Sequence, residues 1–416
     1  AAAAQAGEAH KSGRRLGPLH GLPIAIKDMT AIAGKPLTLG SRAFVDHVAT
    51  RTCRIVERLR GAGAIIVGKT TTPEFAHSSF TQSPLWGVTR NPWAFDRTCG
   101  GSSGGSAVAV ATGCAALAEG SDMGGSIRIP AALCGLVGLK PSFGRIPMDL
   151  FENRYDSISH FGPVARTTED ARLFLDAVQG PDDADPQSLP DRAQVSDPLR
   201  GDVRGLRIAM SMDLGYYWID PDVATNTLET AQMLRDAGAR VSMVELGWNS
   251  EINEAFFDYW GVFMAEAFGD LLPERQSDLD PDVLALIDRA RAMTAPQYKA
   301  IERLRSRQWA GLSAIFADFD ALICPTTSVP APPIGGNDAD FDYIDANGRY
   351  RGLDLTSPFN FVPQCPVLSV PSGTSSSGLP TGIQICGRRW RDDTVLVIGA
   401  AIEARRPWPM PSVSRD

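Results

Sequence analysis

The 416-residue chain has no basic tract, no long apolar run, no Cys-x-x-Cys pair and only five histidines. With 40 Lys and Arg against 48 Asp and Glu, its formal net charge is −8, which argues against nucleic acid or an anionic membrane surface as partner. The longest apolar runs, such as Ala115–Ala118 and Val395–Ile402, fall far short of the roughly 20 residues that a membrane span needs. The seven cysteines are odd in number and scattered, the pattern of reduced, buried thiols, and point to the cytoplasm. The chain starts at Ala1, without Met and without a basic stretch leading into an apolar one. No secretory signal is expected, and the N-terminus reads as trimmed. What is present is ordinary globular composition, 44% hydrophobic and 21% charged, enough for one large core or two domains.

Strand and helix signals alternate. Residues 50–62 are amphipathic, with Ile55, Val56 and Leu59 on one face, and Ala64–Gly68 follows as an apolar strand. Ser106–Gly113 reads as a small-residue helix, Ala115–Gly120 as a strand and Thr168–Val178 as a helix with acids at its N-terminus. Residues 180–203, rich in Pro, Asp and Ser, read as a surface linker. Leu206–Met210, Asp222–Ala237 and Arg240–Val244 then form a strand–helix–strand unit. Residues 251–268 and 281–317 are helical and rich in aromatics, and 330–358 is a long loop. Ala321–Cys324, Val367–Val370 and Thr381–Cys386 are late strands, and Asp392–Ala404 is the last helix. The pattern predicts an α/β fold with a helical insertion in the middle.

Two motifs are decoys. Gly63–Thr70 matches the phosphate-loop pattern G-x-x-x-x-G-K-[ST]. Its four inner residues, Ala-Ile-Ile-Val, read as a strand, and Pro73 stands where the required helix would run. Gly100-Gly-Ser-Ser-Gly104 satisfies G-x-S-x-G, the nucleophile elbow of Ser-His-Asp hydrolases. That elbow needs a preceding strand and a late His, but 91–99 reads as loop and His160 is the sole histidine that follows.

A third arrangement explains more. Two glycine-serine blocks, Gly100–Ser106 and Gly120–Arg128, flank one helix–strand unit, and glycine this dense marks tight turns or close backbone approach. Lys27 ends the apolar run Gly21-Leu-Pro-Ile-Ala-Ile-Lys27. Buried there, it would lose hydration, favour its neutral form and become a usable general base. The plainer alternative is a lysine paired with Asp28 at a strand end, and ordinary turns for the glycines.

With these residues in view, the sequence closely resembles the amidase-signature family. The matching segments include Gly17–Asp28, Gly68–Phe75, Asn91-Pro-Trp93, both Gly/Ser blocks, Gly138–Ser142, Gly162–Ala171, Ser357–Asn360, Leu368–Pro371 and Gly378–Gln384. They leave out mainly the variable middle, about 185–315, so the expected core is about 17–180 and 320–404 of a single domain over 1–416. The resemblance implies a central, mixed, twisted β-sheet covered by helices on both faces. It implies Ser126 as nucleophile, Ser102, held after a cis peptide bond, as proton relay, and Lys27 as base. Backbone N–H groups of Met123, Gly124, Gly125 and Ser126 would form the oxyanion hole. Ser103, Asp122 and Arg128 would support the site, the last two as a brace. No metal or organic cofactor is called for.

The substrate is less legible. The resemblance implies a small-molecule amide or carbamate with water as co-substrate, no membrane or nucleic-acid partner, and a chain compatible with a homodimer. The loop 145–160 and the helix near 251–264 are the expected pocket walls, with Arg145, Met148, Leu150, Phe151, Tyr155, Phe256, Tyr259 and Trp260 as candidates and His77 nearby. So aromatic a pocket suits aryl amides and urethanes. The alternatives are the A-type component of a glutamine-dependent tRNA amidotransferase, a Ser-His-Asp esterase and a non-catalytic binding relative.

Overall fold

The computed structural model describes residues 2–12 and 16–412. Ten strands form one mixed sheet. In chain order they are β1 (Pro23–Lys27), β2 (Ile65–Thr70), β3 (Leu117–Asp122), β4 (Val137–Lys140), β5 (His160–Ala165), β6 (Arg207–Met210), β7 (Arg240–Met243), β8 (Ala321–Pro325), β9 (Val367–Thr374) and β10 (Pro380–Gly387). Across the sheet the order is β7-β6-β8-β10-β9-β4-β5-β3-β1-β2. Pairing is parallel within β2-β1-β3 and within β7-β6-β8, and antiparallel in the centre. Helices cover both faces. Asp392–Arg405 packs with Thr168–Val178 and Pro221–Asp236, while Gly104–Ala111 and Arg128–Leu133 pack together against the sheet.

The expected strands and helices are present with shifted ends. Thr168–Val178 forms as read, with the Thr167 side chain accepting the Asp170 N–H at its start. The span 281–317 splits into Pro281–Arg291 and Ala295–Asp318, because Thr294 caps a new helix with Pro296 in its first turn. The segment 91–99 is not plain loop: Arg90–Asn91 pairs with Ala94–Thr98 in a small hairpin outside the main sheet. β4 and β5 were not anticipated.

The phosphate-loop decoy resolves as expected, whereas the G-x-S-x-G block does follow a short strand, Ala94–Thr98, one that lies outside the main sheet. Residues 65–70 are strand β2, and Lys69 donates to the Thr30 carbonyl at 2.8 Å and pairs with Asp28 at 3.1 Å. All seven cysteines are free thiols, six of them buried. Among the described residues no helix is long and apolar enough to cross a membrane.

Candidate functional site

The site forms where β1 and β3 end side by side. Lys27, the last residue of β1, is fully buried, and its Nζ lies 2.6 Å from Ser102 Oγ and 3.0 Å from Ser121 Oγ. Burial is the main cause that brings the Lys27 pKa down to about 7, partly offset by the carboxyl groups of Glu119 and Asp122. The plainer reading of Lys27, a pair with Asp28, does not hold: Asp28 turns to Lys69 and to the Thr38 hydroxyl.

The first Gly/Ser block brings Ser102 to the lysine. The Gly101–Ser102 peptide is cis. A Cβ on Gly101 would sit 2.6 Å from the Ser78 carbonyl oxygen, so only glycine fits this approach. Ser103 links the two blocks, its N–H donating to the Ser126 carbonyl at 3.0 Å and its hydroxyl to the Ser121 carbonyl at 3.3 Å.

The second block turns β3 into the helix Arg128–Leu133 and leaves Ser126 partly exposed at the turn. Asp122 and Arg128 form the expected brace, a buried pair with Nε and Nη2 each 3.0 Å from a carboxylate oxygen. Burial alone would raise the Asp122 pKa, but Arg128 and Asn360 hold it well below the usual carboxylate range. Asp122 Oδ1 also accepts the Gly125 N–H at 2.8 Å. That N–H is therefore committed, against the expectation that all four amides of the turn face substrate. The N–H groups of Met123, Gly124 and Ser126 make no hydrogen bond among the described residues.

Ser102, Ser121 and Ser126 line one cavity. Phe256, Phe257, Trp260, Phe341 and Tyr350 supply aromatic walls. Asp338, Asp342 and Asp354 also line it, and among the described lining residues there is no lysine or arginine. Burial pushes the Asp338 and Asp354 pKa values up.

Of the pocket residues expected from sequence, His77, Phe256 and Trp260 are at this cavity and the rest are not. Arg145 is buried elsewhere against Asp392 at 3.1 Å. Met148 and Phe151 line a separate small crevice, Tyr155 is exposed, Leu150 is core, and Tyr259 packs on Tyr298 and Phe361. Sequence reading missed Ser121, Glu119 and the three aspartates. Glu119 had a visible signal, an acid inside the span Ala115–Gly120, whose other residues are small or apolar.

His160 does not serve the serines. Its ring nitrogens face the Ile158 carbonyl at 2.8 Å and the Pro363 carbonyl at 3.3 Å, and burial lowers its pKa to about 3. His77, Asp280 and Asp282 bring one possible metal-ligand atom each within 4.8 Å of one another. Asp280 there caps the helix Pro281–Arg291, accepting the Asp282 N–H at 3.0 Å, which accounts for its placement.

Residues 1–396 match the Amidase family. The acylamidase of Rhodococcus erythropolis is 38% identical over 412 residues, covering 98% of this chain and 86% of that protein. The A-type component of the glutamyl-tRNA(Gln) amidotransferase of Chloroflexus aurantiacus is 36% identical, covering 98% and 87%. The crystal structure of a bacterial aryl acylamidase of the amidase-signature family superposes with a TM-score of 0.91 at 30% identity, covering 98% of this chain and 87% of that one. With its ten-stranded mixed sheet and its serine- and glycine-lined cavity, the chain belongs to the amidase-signature family and is an amide-cleaving hydrolase.

Proposed function

We propose that the chain hydrolyses small, uncharged aryl amides, and aryl carbamates that present the same carbonyl, through an acyl-enzyme on Ser126. The observation that carries this is the buried Lys27, with a pKa near 7, 2.6 Å from a serine that shares a cavity with Ser126. Neutral Lys27 takes the Ser102 proton, Ser102 takes that of Ser126, and the Ser126 oxygen bonds to the carbonyl carbon. The amides of Met123, Gly124 and Ser126 stabilise the oxyanion, each such donor being worth about 3–4 kcal/mol in the transition state. The proton returns through Ser102 to the nitrogen, the C–N bond breaks and the amine leaves. Water then repeats the relay and releases the acid.

The aromatic walls support an aryl group, in line with the acylamidase relatives. Likeness to the amidotransferase relatives supports a second reading, glutamine as ammonia donor. Glutamine would bring its α-carboxylate into a cavity lined by three aspartates, with no lysine or arginine to meet it among the described lining residues. That favours the uncharged substrate.

The test is turnover of a neutral nitroanilide, together with covalent labelling by a sulfonyl fluoride. Ser126→Ala is expected to lose both. Full turnover by that variant would overturn the reading.

A further inference from the structure

The Gly124–Gly125 peptide unit, just ahead of Ser126, is held at both ends by side chains. Its N–H donates to Asp122 Oδ1 at 2.8 Å, and its carbonyl oxygen accepts the Thr356 hydroxyl at 2.6 Å. Thr356 is the residue before the helix Ser357–Phe361, where a threonine side chain ordinarily accepts a helix N–H. Here it does not. Asp354 Oδ1 takes that part, accepting the N–H of Thr356 at 2.9 Å and of Ser357 at 3.4 Å. The Thr356 hydroxyl has one proton and two acceptors in reach, the Gly124 carbonyl and Asp354 Oδ1 at 2.5 Å. Oδ1 already receives two N–H groups, whereas the Gly124 carbonyl has no other donor among the described residues. The hydroxyl is thus not used by its own helix and reaches the turn, 232 residues away in sequence.

The fit is close. Gly125 has a φ of +127°, and a Cβ there would lie 1.8 Å from Thr356 Oγ1. Thr356 is itself anchored, since its carbonyl accepts Arg128 Nη1 at 3.2 Å, and the same guanidinium pairs with Asp122. Both clamps on the peptide unit are therefore tied through Arg128.

We propose that Thr356 is a positioning residue for the nucleophile turn. Its hydroxyl fixes the plane of the Gly124–Gly125 peptide, and with it the aim of the flanking N–H groups and the placement of Ser126. Glycines on both sides make this peptide easy to rotate, so one anchor at Asp122 leaves it free to swing. The inference rests on the reading of Ser126 as nucleophile.

Thr356→Val keeps the shape and removes the hydroxyl, and Thr356→Ser keeps the hydroxyl. Turnover of a neutral nitroanilide is measured per Ser126 site titrated with a sulfonyl fluoride, which corrects for any loss of folded protein. In Thr356→Val, kcat is expected to fall about 10- to 100-fold, the scale of a misplaced reacting group. KM should stay within about 3-fold, because the interaction acts on the transition state. Thr356→Ser should restore kcat to within about 3-fold of the parent. A Val variant with parental kcat per site, or a Ser variant as slow as Val, would overturn the proposal. Ser126→Ala is measured in parallel: if it turns over, the nucleophile reading fails, and if it is dead while Val is fast, only the role of Thr356 fails.

Discussion

Glu119 Oε2 accepts the backbone N–H of Lys27 at 2.9 Å, so a carboxyl group and the candidate base are buried together across adjacent strands. Its other oxygen accepts the Thr30 hydroxyl at 2.9 Å. Burial pushes the Glu119 pKa up and the Lys27 pKa down, and their mutual attraction opposes both. A base must be neutral, so kcat/KM should be low in acid, rise through a limb near the Lys27 value of about 7, and level off above it. Glu119→Gln removes an anion that favours the lysine cation, so the limb should move to lower pH. A pH–rate profile reads this, and a limb that stays or rises would contradict it.

Ser102 is buried and Ser126 is partly exposed, in keeping with the roles of relay and nucleophile proposed for them. Ser102→Ala should leave Ser126 in place but take away the group that collects its proton. Turnover should fall by about 10²–10⁴, the usual weight of positioned acid–base help. Labelling by sulfonyl fluoride should become slow but stay stoichiometric, unlike Ser126→Ala, which should not label. Mass spectrometry of the intact protein distinguishes the two.

Much of the proposed site was legible because the residues that meet there carry strong local signatures. Lys27 closes an apolar strand, and Ser102 and Ser126 stand in turns too glycine-dense to be ordinary. The long amphipathic helices, such as Glu251–Phe268, were legible for the same reason, a sustained period. β4 and β5 were not: β4 is short, ends in Lys140 and pairs with β9 far along the chain, and β5 carries His160, Gly162 and Pro163, which break a strand signal. Arg145 was misplaced because its guanidinium is drawn to Asp392, 247 residues later. The aspartates of the cavity come from the 330–358 loop, where no period tells which way a side chain points.

Those aspartates predict charge selectivity. Asp338, Asp342 and Asp354 line the cavity with no lysine or arginine among the described lining residues, so a substrate carboxylate would meet acidic side chains and no basic arm to pair with. Of two nitroanilides that differ only in a neutral or a carboxylate-bearing acyl group, the neutral one should have kcat/KM at least about 10-fold higher, equivalent to roughly 1.4 kcal/mol. Asp354→Asn should narrow the gap. Equal rates on both substrates would remove the argument against glutamine.

His160 offers a test on stability that also closes the Ser-His-Asp alternative. Its Nδ1 faces the Ile158 and Asp122 carbonyls and its Nε2 the Pro363 carbonyl and Lys140 Nζ. Burial first, and then the charge of Lys140, lower its pKa to about 3, against the pull of Asp122 in the other direction. The Lys140 pKa is itself lowered to about 8, chiefly by burial. Between the folded value of about 3 and the unfolded value near 6.5, the unfolded chain binds a proton that the folded chain refuses. The stability due to neutral His160 is therefore intact above pH 6.5 and is lost as the pH falls, at up to about 1.4 kcal/mol per unit. His160→Gln, which cannot titrate and keeps an N–H donor, should show a shallower fall in denaturant-unfolding free energy between about pH 6.5 and about pH 4. Its kcat at about pH 8 should stay within a few-fold of the parent, since the ring makes no hydrogen bond to either serine among the described residues. A stable His160→Gln protein with turnover lost by orders of magnitude would put the histidine back into the chemistry.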